Sequence, residues 1–250
     1  MVSRGFTDGS GRVSQYDPTL STNYTAGLWR DCPLAEYMHD HSIGTLLTEN
    51  WMTYDATATT GDYLLTQATQ GTGAISTADT GVLELDSNSG TVTQGANLQR
   101  IKSAFLPAAS RDIWAEFEFK IVDTFDNCEL FVGLSELDTT LIATSANSSA
   151  NHVGFQCVTD DGVVLFTSEK ATAGTTSACV TLAEATYVKL GFKITGVTSA
   201  QQYVNGVATG TAHATAYIPI VALYPSFVCQ SGGAADPIMH LAGYRVFQLR

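Results

Sequence analysis

At 250 residues the chain is long enough for one large β-sandwich, or a sandwich with an extension, and can build its core without disulfides or metal. Apolar residues make up 44% of it, which excludes wholesale disorder; charged residues make up only 14%, well below the roughly 25% usual for soluble domains, and Thr, Ser, Ala and Gly fill the difference. Twelve basic against 24 acidic residues leave a net charge of −12, a field that repels phosphate backbones and anionic headgroups, so neither nucleic acid nor a membrane surface is expected as a partner.

The N-terminal Met1-Val2-Ser3-Arg4-Gly5-Phe6 has no apolar h-region, so secretion by a signal peptide is not expected. No hydrophobic run approaches the roughly 18 residues of a membrane-spanning helix. Cys32, Cys128, Cys157, Cys179 and Cys229 are odd in number and contain no C-x-x-C pair; they read as free thiols behaving as small apolar residues.

Residues 1–48 carry Gly5, Gly9, Gly11, Pro18, Gly27, Pro33 and Gly44 among polar residues, and no period of 2 or 3.6 persists there. Phe6, Tyr16, Tyr24, Trp29 and Tyr37 make the stretch too aromatic for a solvated linker. It reads as an extended arm that must lie on something, either its own domain or a neighbour; Tyr16, Tyr24, Trp29 and Tyr37 are the candidate assembly contacts. Pro33-Leu34-Ala35-Glu36-Tyr37-Met38 is the best short helix in the chain, with Pro early in its turn.

From residue 49 to 250 the pattern changes to short strands separated by turns. Val82–Asp86 alternates and then stops at Ser87-Asn88-Ser89-Gly90. Ile113–Val122 is the clearest strand, with Ala115, Phe117, Phe119 and Ile121 on one face and Trp114, Glu116, Glu118 and Lys120 on the other. Val153–Val158 and Val163–Thr167 flank Asp160-Asp161-Gly162, a hairpin signal. Tyr187–Ile194 alternates cleanly, and Asn205-Gly206 turns between two further strands. Ile218–Val228 reads as a buried strand limited by Pro219 and Pro225, and Tyr244–Arg250 as the last one. Such a density of short strands predicts an all-β, jelly-roll-like antiparallel sandwich.

The order of these elements resembles the concanavalin A-like (laminin-G-like) jelly-roll family. The points of likeness are Trp114–Phe119, Leu130–Leu134, Asn151–Phe155 with Asp161-Gly162, Tyr187–Phe192, Tyr203-Val204-Asn205-Gly206 and the closing Tyr244-Arg245-Val246. The Thr/Ala/Gly-rich texture with an N-terminal arm resembles capsid decoration, or cement, proteins of tailed phages. That resemblance implies a non-catalytic structural protein of the virion, partnered by a major capsid protein or another virion protein, and a homo-oligomer (trimer or dimer). The alternatives are a glycan-binding module of a phage fibre or adhesin, needing an aromatic-lined groove on one sheet, and a degenerate jelly-roll glycoside hydrolase.

Candidate chemistry is sparse. Glu116 and Glu118 share one face and sit roughly 7 Å apart, compatible with paired-carboxylate hydrolysis. The glucanases of this fold carry Glu-x-Asp-x-x-Glu, whereas here Phe117 intervenes and Ile121 stands where a third acid would be, so the pair reads as a polar face beside Lys120. His39-Asp40-His41 lacks a third ligand; Asp160-Asp161-Gly162 and Asp123–Asn127 could offer oxygens to calcium, although Asp-Gly turns form without a metal, and no metal and no cofactor is expected. Trp51, Tyr54, Tyr63 and Trp114 could stack on sugar rings, although such residues are more often core. Gly-x-Ser-x-Gly, Walker A and Gly-x-Gly-x-x-Gly patterns are all missing from the sequence.

Overall fold

The computed structural model describes residues 6–7, 13–14, 27–56, 61–68, 71–77, 79–88, 90–142, 150–158 and 162–250. A two-residue ladder, β1 (Phe6–Thr7) with β2 (Val13–Ser14), precedes α1 (Leu34–Tyr37), whose first residue follows Pro33 as the sequence predicts. Among the described residues, every other regular element is a strand apart from two short 3₁₀ turns, His41–Ile43 and Thr215–Tyr217. In chain order they are β3 (Gly44–Glu49), β4 (Tyr63–Ala68), β5 (Thr72–Ile75), β6 (Leu83–Asp86), β7 (Gln94–Arg100), β8 (Ile113–Ile121) and β9 (Cys128–Ser135). There follow β10 (His152–Cys157), β11 (Val163–Lys170), β12 (Ala173–Thr181), β13 (Val188–Thr195), β14 (Ser199–Val204), β15 (Val207–Ala214), β16 (Tyr224–Ser231) and β17 (Ile238–Leu249).

Two antiparallel sheets form the sandwich. One runs β12-β11-β10-β9-β16-β7-β4; the other runs β15-β14-β13-β8-β17-β6-β5, with β3 pairing alongside β17. The apolar alternation of β8 does what its sequence predicts: Ala115, Phe117, Phe119 and Ile121 face inward with Leu190, Phe192, Tyr244 and Val246 of the flanking strands. Leu130, Val132, Leu134, Val153, Phe155, Phe166 and Phe227 face them from the seven-stranded sheet. Each such side chain contributes about 1.5–3 kcal/mol of burial, which makes this double layer the source of the fold's stability.

The turns follow local chemistry. Asn205 (φ 49°) and Gly206 (φ 80°) both take the left-handed conformation that a two-residue hairpin needs. Two strand expectations shift. The buried strand expected over Ile218–Val228 runs instead over Tyr224–Ser231; Pro219 has no N–H for a ladder, although Ile218 still plugs the core. The last strand begins at Ile238, six residues before the expected start: Ile238–Leu241 pairs with β6 and Tyr244–Leu249 with β3 along one edge, while β8 follows the other edge across a register shift between Leu241 and Gly243.

The segment expected as an arm to residue 48 enters the sandwich early. Gly44–Glu49 is a ladder strand on β17, and Gly27–Ile43 lies across the outer face of the eight-stranded sheet. All five cysteines are free; Cys128, Cys157 and Cys229 are buried, and burial pushes the Cys32 and Cys179 thiols up.

Candidate functional site

Three anchors hold residues 27–43 to the eight-stranded sheet. The Leu28 N–H donates to the Gly206 carbonyl at 3.1 Å, and Leu28 itself rests on Gly191, where a Cβ would come within 2.4 Å of its Cδ2. Trp29, 4% exposed, donates its indole N–H to Glu116 Oε2 at 3.1 Å while the Arg245 guanidinium covers its ring at 4.2 Å. Arg245 also binds Glu116 Oε1 at 3.0 Å. Finally Cys32, Leu34, Tyr37 and Ile43 pack with Trp114, Phe247 and Leu249 as a small apolar layer outside the main core.

Between this layer and the sheet end lies a cavity of about 360 Å³ lined by Asp31, Pro33, Glu36, Ile43, Asp112, Trp114 and Leu249. Its polar wall is pre-set by Lys193, whose ammonium lies over the Trp114 ring at 5.0 Å, pairs with Asp31 and sits 3.5 Å from Asp112. The Trp114 indole N–H donates to Asp31 Oδ1 at 3.0 Å, and Asp112 Oδ1 accepts from the Gly196 N–H at 2.9 Å. Burial alone would raise the Asp31 carboxyl, but the hydrogen bonds from Lys193 and Trp114 outweigh it and hold the group below the ordinary carboxylate range. Burial likewise opposes the Lys193 charge, and Asp31 and Asp112 together keep its pKa above the usual lysine value. The wall therefore presents an ionised Asp31 and an oriented Asp112 side chain beside an apolar floor.

The outer face of the seven-stranded sheet is closed. Gln99 Nε2 donates to Ser135 Oγ, Ser226 Oγ and the Glu136 carbonyl, each at 3.0 Å, and Asn97 Nδ2 donates to the Asp138 carbonyl at 2.7 Å. These bonds pin the connection after β9 onto the sheet, where Leu141, Ile142 and Ala150 bury Phe131 and Val228. Glu129, 2% exposed, accepts from Gln230 Nε2 at 2.5 Å. Glu129 Oε1, Gln156 Oε1 and Asn97 Oδ1 have no hydrogen-bond partner among the described residues. On the described part of this face strand register places two aromatic rings, Phe131, which is buried, and Tyr224, which is half-buried at the end of β16, and these do not line a groove along the sheet.

The sequence-predicted residues are scattered. Trp29 and Tyr37, expected to contact another subunit, spend their rings on the chain's own sheet: Trp29 as above, and Tyr37 edge-on to Phe247 at 5.4 Å. Tyr16 and Tyr24 lie outside the described residues, as do Asp160 and Asp161. Glu116 is engaged by Trp29 and Arg245, and Glu118 by Lys189 at 3.5 Å; neither lines the cavity. Asp40 accepts from the Ser42 N–H at 2.9 Å and caps the His41–Ile43 turn, and His41 packs edge-on against Tyr37 at 4.7 Å. In the other calcium candidate, Thr124 Oγ1 accepts from the Asp126 N–H at 3.0 Å within a turn. Trp51, Tyr63 and Trp114 are buried, as the core reading of these aromatics has it. Of the cavity wall, Trp114 is the one residue the sequence offers as a sugar contact, and Pro33 and Glu36 enter only through the helix Pro33–Met38; Asp31 and Asp112 stand in no site motif.

No family model matches the chain, and no curated protein matches it. Solved structures do resemble it. A peanut lectin bound to a nine-residue peptide aligns over 82% of this chain and 97% of its own, with TM-score 0.56 and 13% identity. A prokaryotic β-1,3-1,4-glucanase (lichenase) from a mouse hindgut metagenome covers 81% and 98%, with TM-score 0.56 and 11% identity. The lumenal domain of VIP36, in a form bound to Ca²⁺ and Man₃GlcNAc, covers 82% and 91%, with TM-score 0.58 and 8% identity. At such identities the likeness establishes the fold and no more: two antiparallel sheets packed as a jelly-roll sandwich, as in these lectins and this glucanase.

Proposed function

We propose that this chain is a glycan-binding module that works without catalysis, and that its saccharide sits in the cavity between residues 27–43 and the eight-stranded sheet. The observation that carries the reading is the composition of that cavity within a lectin-type fold: carboxylates of Asp31, Glu36 and Asp112 beside Pro33, Ile43 and Leu249. Sugar rings pair hydroxyl donors with apolar C–H faces, and a pocket with a few fixed acceptors over an apolar floor matches both. Holding Asp31 ionised suits it to accept from hydroxyls rather than to donate a proton. The decoration-protein reading draws no support from these likenesses, and the Trp29 ring it would spend on a capsid shell is already covered by Arg245.

The test is a glycan array with the full chain, followed by calorimetric titration of any hit. Asp31→Asn and Asp112→Asn should each weaken binding about tenfold, the loss of one charge-assisted hydrogen bond, while thermal melts confirm folding. No signal across neutral, amino and acidic saccharides, or a hit indifferent to both substitutions, would refute the assignment.

A further inference from the structure

We propose that the free edge of the seven-stranded sheet is a self-association surface, on which β12 of one copy pairs antiparallel with β12 of a second. This inference is independent of the glycan reading.

The edge is unusual for its charge. In a chain with 12 basic and 24 acidic residues, β12 (AGTTSACVT) has neither an ionisable acid nor base among Asp, Glu, Lys and Arg, and β15 (VATGTAHA), at the same lateral side of the sandwich, has none either. Long edge strands normally carry lysine, proline or inward charges that discourage pairing, and β12 has none of these. At nine residues it is longer than the opposite edges, β4 with six and β5 with four. Both edge strands on this side carry a register shift, but β12 keeps a regular run from Ala173 to Ala178, whereas β15 is also broken by Gly210 at φ 61°.

The hydrogen-bonding phase of β12 identifies which groups are free. Ala171 (φ 48°) and Thr172 (φ 73°) form the two-residue turn that closes Lys170 against Ala173. Ala173, Thr175 and Ser177 therefore direct their backbone groups to β11, and Gly174, Thr176 and Ala178 direct theirs outward. The Ala178 carbonyl confirms the phase by accepting from Gln202 Nε2 at 2.9 Å. Gly174, Thr176 and Ala178 are exposed, and no described group bonds the backbone N–H or C=O of Gly174 or Thr176.

The strand is also braced before any partner arrives. Ser177 Oγ and Ser168 Oγ bracket the two ring nitrogens of His213 at 3.1 and 2.8 Å, tying β12 and β11 to β15 across the sandwich. Little backbone entropy is left to lose on pairing. A second copy is the occupant that the charges favour. Two chains of net charge −12 repel wherever acidic faces meet, and an uncharged edge is where that cost is least. A two-fold axis at Thr176 sets Thr176 opposite its own copy and Gly174 opposite Ala178, which offers its N–H because its carbonyl already accepts from Gln202 Nε2; the contact is isologous, with a favourable Thr–Thr pair at its centre.

Sedimentation equilibrium of the full chain tests the proposal. Wild type should show a concentration-dependent dimer. Thr176→Asp and Thr176→Lys each place like charges opposite one another and should weaken self-association on the order of 100-fold. An equimolar mixture of the two should recover the dimer as a heterodimer. Because Thr176 is exposed, neither substitution touches the core. A wild-type chain that stays monomeric at the highest concentration, a dimer insensitive to both substitutions, or a mixture that fails to reassociate would each overturn the proposal.

Discussion

Trp29→Ala releases residues 27–43 from the eight-stranded sheet, at an expected cost of about 3 kcal/mol. The side chain is almost fully buried, and its loss removes both the surface under the Arg245 guanidinium and the indole donor to Glu116. Glu116 and Arg245 keep each other as ion-pair partners, so the penalty is one of packing rather than of a stranded charge. The main core between the sheets contains none of the released side chains, so the damage stays local. Hydrogen exchange should accelerate across Gly27–Ile43 while β8, β9 and β13 keep their protection. Trp29→Phe, which retains most of the apolar area, should restore much of it. Uniform loss of protection in all strands would contradict the division into a core and a docked segment.

Acidification is the second large effect. His152 is 1% exposed, and burial depresses its pKa from the ordinary 6.5 to about 4. Its ring is held neutral between the Ala150 carbonyl, which accepts from Nδ1 at 2.7 Å, and Thr167 Oγ1, 2.9 Å from Nε2. The unfolded chain takes up this proton near pH 6.5, whereas the folded chain refuses it until about pH 4. Stability is therefore fully present above pH 6.5, falls as the pH drops through that window, and levels off below it. The expected loss from His152 is about 3 kcal/mol. His213, also lowered to about 4 by burial, adds to it in the same direction. Asp86 and Glu169, which burial raises, oppose the loss only near the lower end. Urea midpoints measured from pH 7.5 to 4 should fall through this range, and His152→Gln should flatten the slope. A midpoint independent of pH would show that the ring is solvated.

The fold was legible wherever a strand has one wet and one dry face. The alternation of Ile113–Ile121 and the Asn205-Gly206 turn state their structure locally, because side-chain period and left-handed φ are properties of a few consecutive residues. β12 and β7 were not readable in this way. Ala-Gly-Thr-Thr-Ser-Ala and Gln-Gly-Ala-Asn-Leu-Gln mix small and polar residues on both faces, one because its strand is at an edge and the other because its outer face is covered by the connection after β9. The cavity was least legible of all. Asp31, Asp112 and Lys193 are separated by 81 residues or more; the β8–β13 ladder brings Asp112 to Lys193, and the docking of Trp29 on Arg245 and Leu28 on Gly191 adds Asp31. Of the aromatics in the N-terminal stretch, Trp29 and Tyr37 lie on the chain's own sheet, a placement that the sequence does not state.

The indole N–H resonances of Trp29, Trp51 and Trp114 offer the most direct reading of where a saccharide binds, since each has a different environment. Trp114 donates to Asp31 at the cavity wall, Trp29 donates to Glu116 beside the sheet, and Trp51 is buried with no hydrogen-bond partner for its indole nitrogen among the described residues. Titrating the ¹⁵N-labelled chain with an array-identified saccharide should shift the Trp114 signal and the backbone amides of Asp31, Glu36 and Asp112, and leave Trp51 in place. Shifts confined to the seven-stranded sheet around Glu129, Gln156 and Asn97, with Trp114 unmoved, would contradict the cavity as the binding site.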